Sequence, residues 1–465
     1  MTSQKPLRIG LISYRSNPHC GGQGVYVKNL SRALADLGHH VAVISGPPDP
    51  CLDPDIALHR LPCLDLYNPE NPFRTPSLRE LADPLNLIEW IGVSTTGFPE
   101  PFTFGLRAYR FLRRRLRNFD VLHDNQSLSY GIAMIARRVP TVATIHHPIT
   151  VDRELAIRSV HSFPKKLKHL RWHSFIGMQR RVAPHFARII TVSRSSQRDI
   201  AREFKVPADR FRVVPNGINT RQFRPLPGVT RAQNRIIVTT SSDIPLKGLD
   251  FLLEAVADIA RRRAIRLVVV GTAKENGGVV KLIRRLQIAE RVHFTGRIDH
   301  AEFVRQYARA TLAVVPSVYE GFGLPVGEAM ACGVPVISTT GGALPEVVGD
   351  AGILVPPADP QSLRQAITAL LDDPQRARAL GQAGYRRVQD LFTWERAAAQ
   401  TVAVYREVMD AHESNLSASI SGPGTASSIS VAAAAGIPPQ PQPIPELPPS
   451  ASTAACRTCA RPAAG

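Results

Sequence analysis

The sequence predicts an α/β protein built from two doubly wound parallel sheets, and three observations predict this class. The chain has 465 residues, more than a single hydrophobic core usually organises. Short runs rich in β-branched residues alternate with helical patterns, which is typical of parallel strands covered by helices on both faces. These runs form two series separated by a stretch rich in proline and glycine at residues 213–234, so we expect two Rossmann-like domains.

The first domain is placed at residues 1–214. Its strand-like runs begin at Leu7, His40, Phe119, Pro140 and Ala187. Residues 66–104 break the alternation with many prolines and several aromatic residues, and they are too apolar for a flexible linker. We therefore expect an insertion that packs against the first domain.

The second domain is placed at residues 215–395. Its strand-like runs begin at Arg235, Arg266, Arg291, Leu312 and Pro335. Residues 396–412 have the apolar periodicity of an amphipathic helix, which we expect to cross back to the first domain. Residues 413–465 turn into Ser, Ala, Pro and Gly, so we expect a disordered C-terminal tail.

The charge balance is strongly basic, with 57 Lys and Arg residues against 38 Asp and Glu residues and a formal net charge of +19. This excess favours an anionic partner, and nucleic acid, an anionic membrane surface and a phosphorylated small molecule all stay open. Six cysteines are too few and too scattered for a disulfide framework. Because no stretch is as apolar as a signal peptide or a membrane span, we expect a cytoplasmic protein.

Ligands of open parallel sheets bind at the carboxyl ends of the strands, where loops lead into helix N-termini. Two candidate sites fall at such places. Gly22 and Gly24 follow the first strand and would let backbone amides approach an anion, although glycines at such turns often serve the turn alone. Lys247 precedes Gly248 after the first strand of the second domain, where its ammonium group could meet a diphosphate.

A pair of histidines, His146 and His147, ends another strand of the first domain. Adjacent residues on a strand point to opposite faces, so at most one of them can face a given pocket. We expect one of them to form hydrogen bonds and neither to bind a metal. Cys456 and Cys459 in the tail supply only half of a zinc site, so no metal is expected there either.

The segment VVPSVYEGFGLPVGEAMACGVPVIST holds Glu320 and Glu328 on either side of a loop of small residues. It resembles the E-x7-E signature of the retaining, nucleotide-sugar-dependent glycosyltransferases of family 4 (group 1), which have the GT-B fold. Agreement extends in family order from Leu7 to about residue 410, and includes GLISYRSNPHCGGQGVYV, TIHHP, LKGLD and VHFTGRI. The resemblance implies two Rossmann-like domains that face each other across a cleft.

The resemblance also implies a role for each matching residue. Lys247 would neutralise the donor diphosphate, His146 would contact the transferred sugar and Glu320 would hold that sugar's hydroxyls, so these three are the expected catalytic residues. Glu328 would bind the ribose of the nucleotide. The other donor contacts would come from backbone groups at Gly22, Gly24, Arg297, Ile298, Phe322, Gly323 and Leu324.

One donor position departs from the family pattern. The family usually has an arginine five residues before the lysine, and here that position is Ser242. The phosphate site therefore lacks a bidentate guanidinium group. A neighbouring arginine could replace it, the loop could be arranged differently, or the protein could be weakly active or inactive, and we favour the first explanation.

The implied function is transfer of a hexose from a UDP-, GDP- or ADP-sugar to an acceptor hydroxyl, with retention and without a metal or other cofactor. The product would be a glycolipid, a cell-envelope polysaccharide or a small glycoside, and the acceptor stays unknown. A non-catalytic nucleotide-sugar-binding protein and another GT-B enzyme, such as a nucleotide-sugar epimerase, are the alternatives. Nucleic acid is not an expected partner, because neither a recognition motif nor aromatic platforms are evident.

Two basic stretches, residues 106–119 and 164–181, each have the pattern of one helix with an apolar stripe surrounded by Arg or Lys. Each could be a solvated helix packed on the sheet. Each could also dock on anionic lipid, which would place the protein peripherally on the inner face of the cell membrane.

Overall fold

The structure is a computed structural model that describes residues 5–16, 22–68, 71, 74–158, 160, 162–240 and 244–420. The chain forms two compact units, Met1–Glu413 and Ser414–Gly465. In the second unit, the described residues are the last turns of one helix. The expected disordered tail otherwise lies outside the described residues, as do Cys456 and Cys459.

The first sheet has seven parallel strands in the order β3-β2-β1-β4-β5-β6-β7. These strands are β1 (Arg8–Ser13), β2 (His40–Ser45), β3 (Ala57–Arg60), β4 (Val121–Asn125), β5 (Thr141–Ile145), β6 (Ile189–Thr191) and β7 (Phe211–Val213).

The second sheet has six parallel strands in the order β10-β9-β8-β11-β12-β13. Its members are β8 (Arg235–Thr239), β9 (Arg266–Val270), β10 (Val292–Phe294), β11 (Leu312–Val315), β12 (Val336–Thr339) and β13 (Ile353–Val355). The two doubly wound parallel sheets confirm the α/β class that the alternating pattern predicts.

Helices connect the strands and cover both sheets. Those before β8 are α1 (Gly22–Asp36), α2 (Leu78–Leu81), α3 (Pro84–Ser94), α4 (Glu100–Leu112), α5 (Tyr130–Ala136), α6 (Thr150–Arg158), α7 (Phe163–Trp172), α8 (Phe175–Val182) and α9 (Arg194–Phe204). Those after β8 are α10 (Leu249–Ala260), α11 (Gly278–Leu286), α12 (His300–Arg309), α13 (Leu324–Ala331), α14 (Leu344–Val348), α15 (Pro360–Asp372), α16 (Pro374–Leu391) and α17 (Trp394–Ile420).

The first sheet is covered on both faces, which explains why β1 carries apolar residues on both of its sides. Ile9 and Leu11 of β1 pack in a cluster with residues of α1 and α17. Ile12 packs on the other face, in a cluster with Phe104 of α4 and Ile132 of α5. Successive residues of one strand therefore contribute to two different cores.

Helix α17 returns from the second sheet to the first. Trp394 and Tyr405 lie in the core cluster of Ile9, and the hydroxyl group of Tyr405 lies 2.6 Å from Nδ1 of the buried His123 on β4. The helix continues to Ile420, so the prediction that order ends at residue 412 is wrong for the next eight residues. These residues include neither proline nor glycine, and nothing in their composition stops the helix.

The proline-rich residues 66–104 contain α2, α3 and the start of α4. Asp83 caps α3 through a hydrogen bond from the amide of Leu85, and Pro84 occupies the first helical position, where a missing N–H group does no harm. Phe98 and Phe104 are buried in the core of the first sheet. Pro84 and Pro101 therefore stand in the first turns of α3 and α4.

The two basic stretches are not single helices, so this part of the prediction is wrong. Helix α4 ends at Leu112, after which three arginines are exposed and no buried side chain holds a further helical turn. The second stretch is broken between α7 and α8, where Nδ1 of His173 bonds to the carbonyl oxygen of His169. In the described part of the chain, no helix is long and apolar enough to cross a membrane.

The contact between α4 and α5 depends on two glycines, which gives a test of the fold. A Cβ atom at Gly131 would lie 2.0 Å from the carbonyl oxygen of Gly105, and backbone cannot move aside as a flexible side chain can. Overpacking of this kind destabilises by about 1–3 kcal/mol. We expect Gly131→Ala to lower the melting temperature measured by circular dichroism.

Gly177 provides the matched control, because it is exposed on α8 and a Cβ atom there would meet nothing within 4 Å. Gly177→Ala should leave the melting temperature unchanged or raise it, since alanine favours helix over glycine by about 1 kcal/mol. Equal losses in the two variants would contradict the packing argument.

Candidate functional site

The carboxyl ends of β8 and β11 bring Lys247 and Glu320 into contact, although 73 residues separate them. Nζ of Lys247 donates to Oε1 of Glu320 at 2.7 Å, and the hydroxyl group of Ser317 donates to the same oxygen at 2.8 Å. The lysine ends a short 3-10 turn that Gly248 closes with φ of +65°. A Cβ atom at Gly248 would lie 2.0 Å from the carbonyl oxygen of Pro316, so the lysine loop and the glutamate loop pack backbone to backbone.

The predicted donor loop leads directly into α13. Phe322 is buried and meets Phe392 edge to face, with ring centroids 5.7 Å apart. Gly323 has φ of +103° and precedes Leu324, the first residue of the helix. The backbone of this loop is thus held by an aromatic anchor and by a conformation that favours glycine.

Glu328 lies one turn inside α13 and is half-buried. Burial raises the pKa of its carboxyl group to about 7. The carboxyl group in turn raises the pKa values of the Tyr307 hydroxyl and the Cys332 thiol, although burial of those groups is the larger cause. Glu328 therefore changes its charge near neutral pH, so it differs from Glu320, which forms an ion pair.

The first sheet contributes His146, which follows the end of β5. Its Nε2 lies 2.8 Å from Oδ1 of Asn125, an atom that can only accept, so Nε2 carries the proton. Tyr26 packs edge to face against the ring at 4.7 Å. Burial, and then the charges of His147 and His123, lower the pKa of His146 to about 3, so the imidazole is neutral at physiological pH.

The site residues of the second sheet and those of the first sheet come together at Gly321. Its carbonyl oxygen accepts hydrogen bonds from the hydroxyl groups of Ser193 at 2.9 Å and Ser196 at 3.1 Å. A Cβ atom at Gly321 would lie 2.9 Å from the carbonyl oxygen of His146. His146 and Glu320, which come from different sheets, therefore lie on the two sides of one backbone contact.

A second contact joins helices of the same two sheets. The carboxylate of Glu346, which lies in the first turn of α14 beside the second sheet, accepts from the amides of Arg194 at 2.8 Å and Ser195 at 2.7 Å. These amides open α9 of the first domain, where a helix N-terminus favours negative charge. No sequence pattern marks Glu346 as a site residue. Ser193 begins a Ser-x-x-Ser pattern shortly after a strand, which is a recognisable capping signal.

Four other predicted site residues lie on other elements. Gly22 and Gly24 open α1, and Gly22 is exposed with open space around it. Arg297 and Ile298 follow β10, which is two strands away from β8 and hence about 10 Å from it. Ser242 lies outside the described residues, as does the loop that precedes Gly22.

The Asp-x-Asp sequence of Asp53 and Asp55 lies on the surface beside Arg32. Nη1 of Arg32 lies 2.8 Å from Asp55, and Nε lies 3.9 Å from Asp53. These carboxylates therefore act as partners of a surface arginine.

Comparison with known proteins decides the family. The model "Glycosyl transferases group 1" matches residues 234–373 and "Glycosyltransferase Family 4" matches residues 20–222. The MMP alpha-(1->4)-mannosyltransferase of Mycolicibacterium hassiacum is 47% identical over 408 residues, which cover 87% of this chain and 98% of that protein. The chain belongs to the family 4, group 1 glycosyltransferases.

More distant relatives and solved structures agree with this glycosyltransferase assignment. A D-inositol 3-phosphate glycosyltransferase of Segniliparus rotundus is 27% identical, over 86% of this chain and 89% of that protein. Sucrose-phosphate synthase from Thermosynechococcus elongatus superposes with a TM-score of 0.67 at 27% identity, covering 87% of this chain and 100% of that one. Anabaena Alr3699/HepE, solved in complex with UDP, shares the fold with a TM-score of 0.62 at 18% identity, covering 86% and 100%. The predicted GT-B fold is confirmed.

The raised pKa of Glu328 predicts how the stability of the glycosyltransferase depends on pH. Between pH 4.5, its ordinary pKa, and about pH 7, the unfolded chain releases the proton while the folded chain keeps it. The contribution of Glu328 to stability therefore falls as pH rises through this window, by on the order of 3 kcal/mol. We expect Glu328→Gln to melt above the wild type at pH 8 and close to it at pH 4.5.

The exposed Glu290 provides the control for this measurement. Glu290→Gln should melt like the wild-type protein at both pH values. If Glu328→Gln did not raise the melting temperature at pH 8 either, burial of the Glu328 carboxyl group would not lower the stability of the protein.

Proposed function

We propose that the enzyme transfers a mannosyl group from a nucleotide diphosphate mannose to a sugar hydroxyl with retention of the anomeric configuration. The contact between Lys247 and Glu320 carries the proposal, because a cation and a carboxylate meet at the carboxyl ends of the strands, where parallel sheets bind ligands. The sugar is inferred from the mannosyltransferase that is 47% identical to this chain. A nucleotide partner is supported by the UDP complex of a protein with the same fold.

In the proposed reaction, the bond between the sugar C1 and the diphosphate oxygen breaks as a bond from the acceptor oxygen to C1 forms. The acceptor attacks on the face from which the diphosphate leaves, and the departing phosphate oxygen takes the acceptor's proton. Negative charge grows on the diphosphate, and the ammonium group of Lys247 stabilises it without rearrangement. Because Lys247 can neutralise the leaving group, we propose that no metal ion is required.

Residues of both domains would orient the donor. His146 is held by Asn125 with its Nε2 protonated, so the sugar would meet a neutral ring that adds no charge near C1. Glu320 would accept hydrogen bonds from the sugar hydroxyls, and Glu328 from the ribose. Arg297 and Ile298 follow β10, which is two strands away from β8. This separation is consistent with the base of the nucleotide lying near these two residues.

The decisive measurement is nucleotide release from UDP-, GDP- and ADP-mannose in buffer with EDTA, with and without a mannoside acceptor. We expect release from one donor, and an α-configured product by NMR. Tight binding of a nucleotide sugar without release would instead indicate a non-catalytic binding protein. Activity only after a divalent metal is added would contradict the metal-independent mechanism.

The two glutamates should affect different kinetic constants. Glu328→Gln should raise the donor KM about tenfold or more, because a hydrogen bond to a charged group contributes about 1.5–3 kcal/mol. Glu320→Gln should mainly lower kcat, because it removes the partner of Lys247 as well as the sugar acceptor. The assignment would be wrong if both variants kept wild-type kinetics, or if their effects were exchanged.

We further propose that α7 docks on an anionic membrane surface. Phe163, Leu167 and Leu170 are 76%, 55% and 49% exposed, and their spacing places them on one helix face. No residue of α7 is buried, and lysines and an arginine surround the stripe. By contrast, α4 buries its apolar side in the core, so the structure favours α7 for docking.

Vesicle co-sedimentation tests this proposal. The wild-type protein should bind vesicles of phosphatidylcholine and phosphatidylglycerol at low salt, and Leu167→Gln should bind several-fold less. Leu37→Gln is the matched control, since Leu37 is 44% exposed but lies outside α7. The proposal fails if the wild type stays in the supernatant or if the two variants bind equally well.

A further inference from the structure

The site continues along the carboxyl edge of the first sheet, away from the Lys247–Glu320 pair. Asn125 binds His146 through Oδ1, and its Nδ2 donates to Oγ of Ser13 at 3.3 Å. Oγ of Ser13 donates to the carbonyl oxygen of Arg15 at 3.0 Å. Three successive hydrogen bonds therefore connect His146 to Arg15, which is two residues beyond the end of β1.

The insertion holds the side chain of Arg15. Its Nη1 lies 3.3 Å from Oε2 of Glu100, the first residue of α4. The Glu100 side chain is only 9% exposed, whereas that of Arg15 is 26% exposed, and Oε2 of Glu100 has no hydrogen-bond partner among the described residues. The buried carboxyl group therefore positions the guanidinium group, and part of the latter stays accessible.

An aromatic surface lies beside this guanidinium group. The centre of the Arg15 guanidinium lies 5.8 Å from the centroid of Tyr67, a half-buried residue at the start of the insertion. Tyr67 packs against Phe98 at 5.4 Å and Trp172 at 5.2 Å, and its hydroxyl group donates to the carbonyl oxygen of Gly97 at 2.7 Å. The ring is thus fixed in place and leaves part of its surface exposed.

The charges around Arg15 do not favour an anionic ligand. Nη2 of the buried Arg107 lies 2.7 Å from Glu89, and Arg15, Arg107, Glu89 and Asp65 all influence the charge of Glu100. When Glu100 is protonated, the two cations Arg15 and Arg107 therefore lie near the two carboxylates of Glu89 and Asp65. When Glu100 is ionised, its own carboxylate is the third. Since the cluster carries no net positive charge in either state, a phosphate group would gain little attraction there.

We propose that Arg15 and Tyr67 bind an uncharged sugar acceptor, with Arg15 donating to its hydroxyl groups and the Tyr67 ring packing against its C–H face. This deepens the proposed function and rests on it. The first domain would then hold the acceptor between His146 and the insertion. Residues 66–104 would thus take part in acceptor recognition, and Glu100 would position Arg15 without touching the sugar.

The experiment compares Arg15→Ala, Arg15→Lys and Arg8→Ala with two acceptor probes, methyl α-mannoside and D-inositol 3-phosphate. Arg8 provides the matched control, because it pairs with Asp120 at 2.7 Å but begins β1 at the opposite edge of the sheet. Arg15→Ala should raise KM for methyl α-mannoside at least tenfold, and Arg15→Lys should raise it less. In both Arg15 variants, the donor KM and donor hydrolysis without acceptor should equal those of the wild type.

Several results would overturn the proposal. If Arg15→Ala raised the donor KM or abolished donor hydrolysis while the protein still melted normally, Arg15 would serve the diphosphate instead. Unchanged kinetics would remove any role in binding. A wild-type enzyme that hydrolyses the donor but transfers only to inositol 3-phosphate, or to neither probe, would exclude an uncharged acceptor of this kind. Absence of donor hydrolysis in the wild type would instead refute the proposed function itself.

Discussion

The close backbone contact at Gly321 is the constraint on which the site depends. The hydroxyl groups of Ser193 and Ser196 in the first domain both donate to its carbonyl oxygen. A Cβ atom at Gly321 would lie only 2.9 Å from the carbonyl oxygen of His146. Any residue with a Cβ atom would push the two sheets apart at this point. Because Glu320 is the preceding residue, the same contact sets its distance from the residues at the end of β5.

Charge is distributed unevenly around this contact. On the second sheet, Lys247 and Glu320 neutralise each other across 2.7 Å. On the first sheet, burial keeps His146 neutral. The strongly basic character of the whole chain, with a net charge of +19, is thus not concentrated at the described site residues. In the described region, α7 instead presents exposed basic residues beside exposed apolar ones.

Sequence patterns predicted ten strands of the two sheets, because each of these is a short apolar run with a clear boundary. They missed the edge strands β3, β7 and β13. They were less successful where helix length depends on contacts. The arginine-rich continuation of α4 has helical periodicity, but the helix ends at Leu112, its last buried residue, and three exposed arginines follow. Conversely, α17 continues to Ile420 through a sequence whose low hydrophobicity suggested a tail. Periodicity alone does not report which turns find a partner.

The sequence by itself determined the family, the two sheets and the candidate residues, because these are encoded in local runs and in a motif of fixed spacing. Only the tertiary structure decided that Lys247 and Glu320 form an ion pair, that Glu346 caps a helix of the other domain and that Arg15 meets Glu100. Each of these pairs joins residues far apart in the chain. Their contacts arise because parallel strands align their carboxyl ends at one edge, and spacing along the sequence does not reveal which loops then meet.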